Sequence, residues 1–116
     1  MSFTVNDSRS ITHSSTDVHA AALRAIGKLE GTILRDEPDS GEIEAKFHKT
    51  ILGKVLGDRT HMSVKIVVEP AGSTRIDTSV YPLNAVGQRL QFGARKGVSK
   101  TVVQWFNAHL DHQLTE

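Results

Sequence analysis

The sequence predicts an α+β domain of two layers, a curved antiparallel sheet of four to six strands packed against an N-terminal and a C-terminal helix. Three observations predict it. Residues 14–29 repeat apolar side chains at helical spacing behind a capping serine. Residues 42–48, 62–69 and 75–80 alternate apolar with polar, so each strand buries one face and wets the other. Residues 98–113 return to helical spacing and hold the only tryptophan.

A chain of 116 residues is read as one domain, with residues 1–10 its least firmly held part. Hydrophobic residues at 38% and charged residues at 23% are ordinary for a globular protein with a continuous core. The net charge of +1 gives no reason to expect nucleic acid or an anionic membrane as partner. The charge distribution says more than the total. From Thr78 to Leu110 there is no acid, while Arg89, Arg95, Lys96 and Lys100 fall there.

The absence of cysteine excludes disulfides, thiolate catalysis and cysteine-based zinc sites. It also fits a cytoplasmic location. No leader peptide is expected from the first ten residues, and no apolar run approaches the roughly 20 residues that span a bilayer.

Phe3, Val5 and Ile11 read either as one short strand with a break or as a loose end followed by a strand. The first helix is predicted over 15–28, with Ser14 as N-cap and Asp17 favourably placed in the first turn. Val18, Ala22, Ala25, Ile26 and Leu29 form its apolar stripe, and Gly31 closes it at the latest. A short strand at 32–35 and the turn residues 36–41 then lead into Ile43, Ala45 and Phe47, a hairpin. Residues 52–58 remain open between a loop closing Val55 and Leu56 over the core and an exposed lip.

Strands follow around Met62–Val68 and Ile76–Val80, with Pro82 ending the second or pushing it to an edge. Residues 86–92 are a last strand, or a loop with a strand only at 88–92. In the final helix Val98, Val102, Trp105, Phe106, His109 and Gln113 share one sector. Burying Trp105 and Phe106 would remove about 150–250 Å² each from water, several kcal/mol apiece at about 25 cal/mol per Å². Strand order is not readable.

Over about residues 14–114 this element order resembles the helix-grip folds. These include lipid- and hormone-binding START-like domains and the small domains of a bacterial outer-membrane assembly lipoprotein. The resemblance rests on element order and on no signature motif. It implies a cavity or groove between the sheet and the C-terminal helix, and no particular ligand.

The segment Gly93-Ala-Arg-Lys-Gly-Val-Ser-Lys-Thr101 is the most suggestive chemistry. Its glycine spacing is wrong for a nucleotide phosphate loop. Yet Arg95, Lys96 and Lys100 crowd cations onto a helix start whose dipole is already positive, at about 0.3–1 kcal/mol each. A bound phosphate or carboxylate would offset that repulsion through free backbone N–H groups. Alternatively these side chains extend into water, where screening makes the cost small.

His109 and His112 are three apart on the helix, but nothing marks a third metal ligand. Glu42 and Glu44 share a strand face and read as solvated. No catalytic residue, cofactor or metal is therefore expected.

The resulting expectation is a binding module rather than an enzyme. Its ligand, small and anionic or amphipathic, lies between sheet and C-terminal helix, with Arg89, Arg95, Lys96, Ser99, Lys100 and Trp105 as binding residues. The alternative is a protein-interaction or homodimerising domain with a filled core, an exposed apolar patch and no ligand.

Overall fold

The computed structural model describes residues 3–90 and 97–115. Seven strands and two helices follow in the order β1 (Val5–Ile11), α1 (Ser15–Lys28), β2 (Thr32–Glu37), β3 (Glu42–Phe47), β4 (Thr50–Ile51), β5 (Lys54–Val55), β6 (Arg59–Val68), β7 (Thr74–Leu83) and α2 (Val98–Leu114). Five strands form a curved antiparallel sheet ordered β1-β7-β6-β3-β2, and β4 and β5 form a separate hairpin. This is the α+β architecture expected. β1 is one continuous strand from Val5, paired along its length with β7.

The strand order has a direct consequence for the helices. β1 and β2 are the two edges, so α1 carries the chain across one face of the sheet from edge to edge. That face, the inner one, takes the apolar parity of each strand: Ile43, Ala45, Met62, Val64, Ile76 and Val80 are all buried there. α1 answers with Val18, Ala22, Ala25 and Ile26, and α2 with Val102, Phe106 and Leu110. The two helices lie side by side, tied by the Arg24 guanidinium donating to Gln113 Oε1 at 2.8 Å. α2 is fixed to edge strand β1 by Arg9 on Asp111 (2.6 Å) and by Asn107 Nδ2 on Asp7 (3.1 Å).

α1 begins as its sequence dictates, with Ser14 Oγ accepting the Asp17 N–H at 3.1 Å. Its end differs. The left-handed residue is Glu30 (φ 64°), one before Gly31. Gly31 N–H donates to Ile26 O and Glu30 N–H to Gly27 O, at 2.9 and 3.0 Å, which is a Schellman closure. A side chain in that region costs on the order of 1 kcal/mol or more. Glu30 has a compensating contact, its carboxylate accepting the Leu52 N–H at 2.8 Å.

Leu52 and Gly53 both have positive φ (52° and 79°), the two-residue turn that joins β4 to β5. Thus residues 52–58 are neither of the two arrangements anticipated. Val55 points outward, while Leu56 packs against the core.

Gly41 is required where it stands. Its φ is 72°, and a Cβ there would lie 2.3 Å from the Ile66 carbonyl oxygen, so only glycine lets the β2–β3 turn meet β6. Pro82 lies inside β7 rather than at its end, beyond the last residue that β1 pairs. Its carbonyl accepts the Leu90 N–H at 2.9 Å. Leu83 and Arg89 form an isolated bridge, and residues 91–92 of the segment expected as a last strand or loop lie outside the described residues.

The buried sector of α2 is rotated from the one read in the sequence. It holds Val98, Ser99, Val102, Val103, Phe106, Leu110 and Gln113, leaving Trp105 and His109 half-buried at its margin. The reason is β1: its contacts through Asn107 and Asp111 draw that flank of the helix toward the sheet edge. Trp105 instead packs partly on the core, with Lys54 Nζ 5.8 Å from its ring centroid. Accordingly, Phe106→Ala is expected to cost about 3–5 kcal/mol and Trp105→Ala less than half as much. Urea unfolding of the two variants checks this, and equal losses would mean that Trp105 is a core residue.

Candidate functional site

Among the described residues no helix covers the opposite, outer face of the sheet, which carries the polar parity of every strand. Register brings distant residues into rows across it. One row runs Asn6, Ser79, Ser63, Glu44 and Arg35 across all five strands. The next runs Ser8, Asp77, Lys65, Glu42 and Glu37. Ser63 and Ser79 face each other in the middle, and their short side chains leave a groove of about 610 Å³ between longer neighbours. Such a volume is in the range of small-molecule sites.

Charged side chains wall one end and one side of the groove and are largely committed to each other. Arg35 bonds Glu37 at 2.7 Å and Glu44 at 3.0 Å, and also bonds Glu42. These hydrogen bonds, Glu37 first, raise the guanidinium above its already high pKa, and Arg35 in turn holds the Glu37 carboxyl below its ordinary value. Lys65 bonds Glu42 at 3.2 Å. The Ser8 hydroxyl (2.6 Å), and then Arg75, hold the Asp77 carboxyl below its usual range. By contrast, the floor residues Ser63 and Ser79, with Asn6 beside them, make no side-chain hydrogen bond among the described residues. The groups left with unused hydrogen-bonding capacity are therefore neutral.

Beside the groove, on the next row, the His61 and Tyr81 rings stack with centroids 4.9 Å apart. The Arg89 guanidinium lies 4.1 Å from the Tyr81 centroid. His61 Nε2 lies 3.3 Å from Glu44 Oε1, and its side chain is only 14% exposed. Burial pushes the imidazole below its ordinary 6.5, with Glu44 opposing and Arg89 assisting. His61 is thus neutral at pH 7, with Nε2–H donating to Glu44, and its buried Nδ1 has no partner.

Of the residues expected from the sequence to bind a ligand, Arg89, Ser99, Lys100 and Trp105 are described, and their surroundings differ. Arg89 is on the outer face against Tyr81. Ser99 is buried within the helix layer, Lys100 is exposed in the first turn of α2, and Trp105 is half-buried one turn further on. Gly97 caps α2 without a side chain, and the first turn holds no acid. Gly93, Arg95 and Lys96 lie outside the described residues. Among those described, no three His, Asp or Glu side chains are grouped to hold a metal. Among the described residues no helix is long and apolar enough to cross a membrane.

Neither a protein-family model nor a curated protein matches the chain. Solved structures do. Ara h 8.0201 aligns with a TM-score of 0.58 at 11% identity, covering 100% of both chains. A Deinococcus radiodurans protein aligns at 0.55 and 11%, covering 97% of this chain and 98% of its own. DynU16, a protein of the dynemicin biosynthetic locus, aligns at 0.51 and 13%, covering 97% of this chain and 47% of its own. The likeness is one of fold, consistent with a helix-grip-like α+β domain. At these identities it carries no activity across.

The outer-face row could not be found from sequence, because Ser63 and Ser79 become neighbours only through the β6–β7 register. Glu42 and Glu44 were visible as one face of a strand, but their partner Arg35 was not. The lowered imidazole makes a pH prediction. Above pH 6.5 folded and unfolded His61 are both neutral, and stability is full. As pH falls below that value the unfolded chain takes up a proton the folded ring resists, so stability drops until the folded pKa is passed. An imidazole midpoint below 6.5 by NMR, and a flatter acid limb of stability in His61→Gln, are expected. A midpoint at or above 6.5 would contradict the burial.

Proposed function

We propose that the chain is a small-ligand binding module whose site is the groove on the outer face of the sheet. The observation that carries this reading is the unpartnered, neutral, hydroxyl-bearing floor of Ser63 and Ser79 between walls whose charges are already paired. A charged ligand would have to displace those ion pairs. A neutral, hydroxyl-rich ligand uses the free groups as they stand.

This location departs from a ligand between sheet and C-terminal helix. Beneath α2 the described side chains Val102, Phe106 and Leu110 are at most 1% exposed and belong to the same continuous core as Ile76 and Val80. The anion part of the expectation stays with the start of α2, where Lys100 and the uncapped N–H groups favour negative charge.

The second reading, an interaction domain, draws on the filled core and on exposed Ile33, Leu34, Leu52 and Val55. Against strand addition at the β2 edge stand a register shift at Leu34 and the charges of Arg35, Asp36 and Glu37, devices that blunt an edge.

Amide-shift titration with a panel of monosaccharides tests the proposal. Shifts are expected at Asn6, Glu44, Ser63 and Ser79, and their loss in a Ser63→Leu, Ser79→Leu variant. No shifts, or the same shifts in the variant, would remove the site. A chain that sediments as a dimer and becomes monomeric in Leu52→Lys would carry the interaction reading instead.

A further inference from the structure

A second groove, of about 410 Å³, lies where α1 stops covering the inner face, between that helix and the β2–β3 turn. Its apolar lining is Ala20 and Leu23 from α1, Pro38 from the turn, and Ile66 and Val68 from the end of β6. Val68 belongs to the apolar parity of its strand yet is 68% exposed, because α1 has already ended its cover there. The β2–β3 turn is held against β6 at Gly41, whose carbonyl accepts the Ile66 N–H at 2.8 Å, so the groove wall is fixed rather than loosely hung.

The rim is acidic. Asp36 and Asp39 line it and no Lys or Arg does. Asp36 is oriented by His19, whose Nε2 lies 2.6 Å from Oδ1, leaving the second carboxylate oxygen without a protein partner. Asp39 has no hydrogen bond or ion pair among the described residues. Ser15 and Ser40 add hydroxyls to the same rim. An apolar floor with two carboxylates and neither Lys nor Arg in its lining selects for one chemistry.

We propose that this groove binds an amphipathic amine, its ammonium held between Asp36 and Asp39 and its hydrocarbon body laid on Leu23, Ile66 and Val68. Ammonium donors are attracted by the rim charge and make charge-assisted hydrogen bonds to the free carboxylate oxygens. A carboxylate of the same chain length is repelled by that charge. A neutral alcohol gains only the apolar contact. The site is independent of the outer-face groove, which is formed by the opposite parity of the strands.

The test compares hexylamine, hexanoate and hexanol at pH 7 by methyl and amide shifts. Hexylamine is expected to shift Leu23, Ile66 and Val68 saturably and to bind at least five-fold more tightly than hexanoate. Asp39→Asn, in an exposed turn and without bonds to lose, is expected to weaken hexylamine at least five-fold while leaving hexanol unchanged. Val68→Lys, which sets a cation in the floor, is expected to abolish hexylamine binding. Equal affinity for hexylamine and hexanoate, an unchanged affinity in Asp39→Asn, or shifts confined to other residues would overturn the proposal.

Discussion

Phe106 is fully buried, with Leu110, Val102, Val80 and Met62, in the core that α2 and the inner face of the sheet share. Around this contact the rest of the molecule is arranged. A ring of that size removes about 150–250 Å² from water. The same contact consumes the space that a helix-grip arrangement can otherwise keep open for a ligand. With the inner face occupied, the surfaces free to bind something are the outer face and the margins that the helices do not reach.

Those surfaces differ for a reason already present in the strands. Alternation sends apolar residues to the helices and polar ones outward. A groove on the outer face is therefore polar by construction, as with Ser63, Ser79 and the Arg35–Glu44 row. A groove at the margin of the inner face is apolar by construction, as with Ile66 and Val68, and acquires its charge from Asp36 at the end of β2 and Asp39 in the turn that follows. Two unlike binding chemistries thus follow from one sheet. The His61–Tyr81–Arg89 stack belongs to the first face and adds a group whose protonation is resisted by its own burial.

Much of the fold was legible in the sequence where a local rule was sufficient. Ser14 and the stripe from Val18 to Ile26 gave α1 at its observed bounds, and Ile43, Ala45 and Phe47 declared their buried parity. Legibility failed where a residue adopted a conformation its type disfavours. Glu30 and Leu52 occupy left-handed positions, one at a helix end and one in a hairpin turn, and a single hydrogen bond from the Leu52 N–H to the Glu30 carboxylate ties them, a tertiary fact with no sequence signature. It failed again for α2, where Phe106 was inward as read but Val103 took the place expected for Trp105, on the flank that Asn107 ties to β1. The outer groove was the least legible part. Serines at 63 and 79 look like ordinary solvent-facing residues until the register sets them opposite each other.

The account depends on the space beneath α2 being filled, and xenon reports on that directly, since it enters dry apolar cavities and shifts the methyl groups that line them. Methyl spectra recorded under xenon pressure are expected to show no saturable shift at Met62, Val80, Val102 or Leu110. Saturable shifts at those methyls would reveal a cavity between helix and sheet, and would return the binding site to the interior.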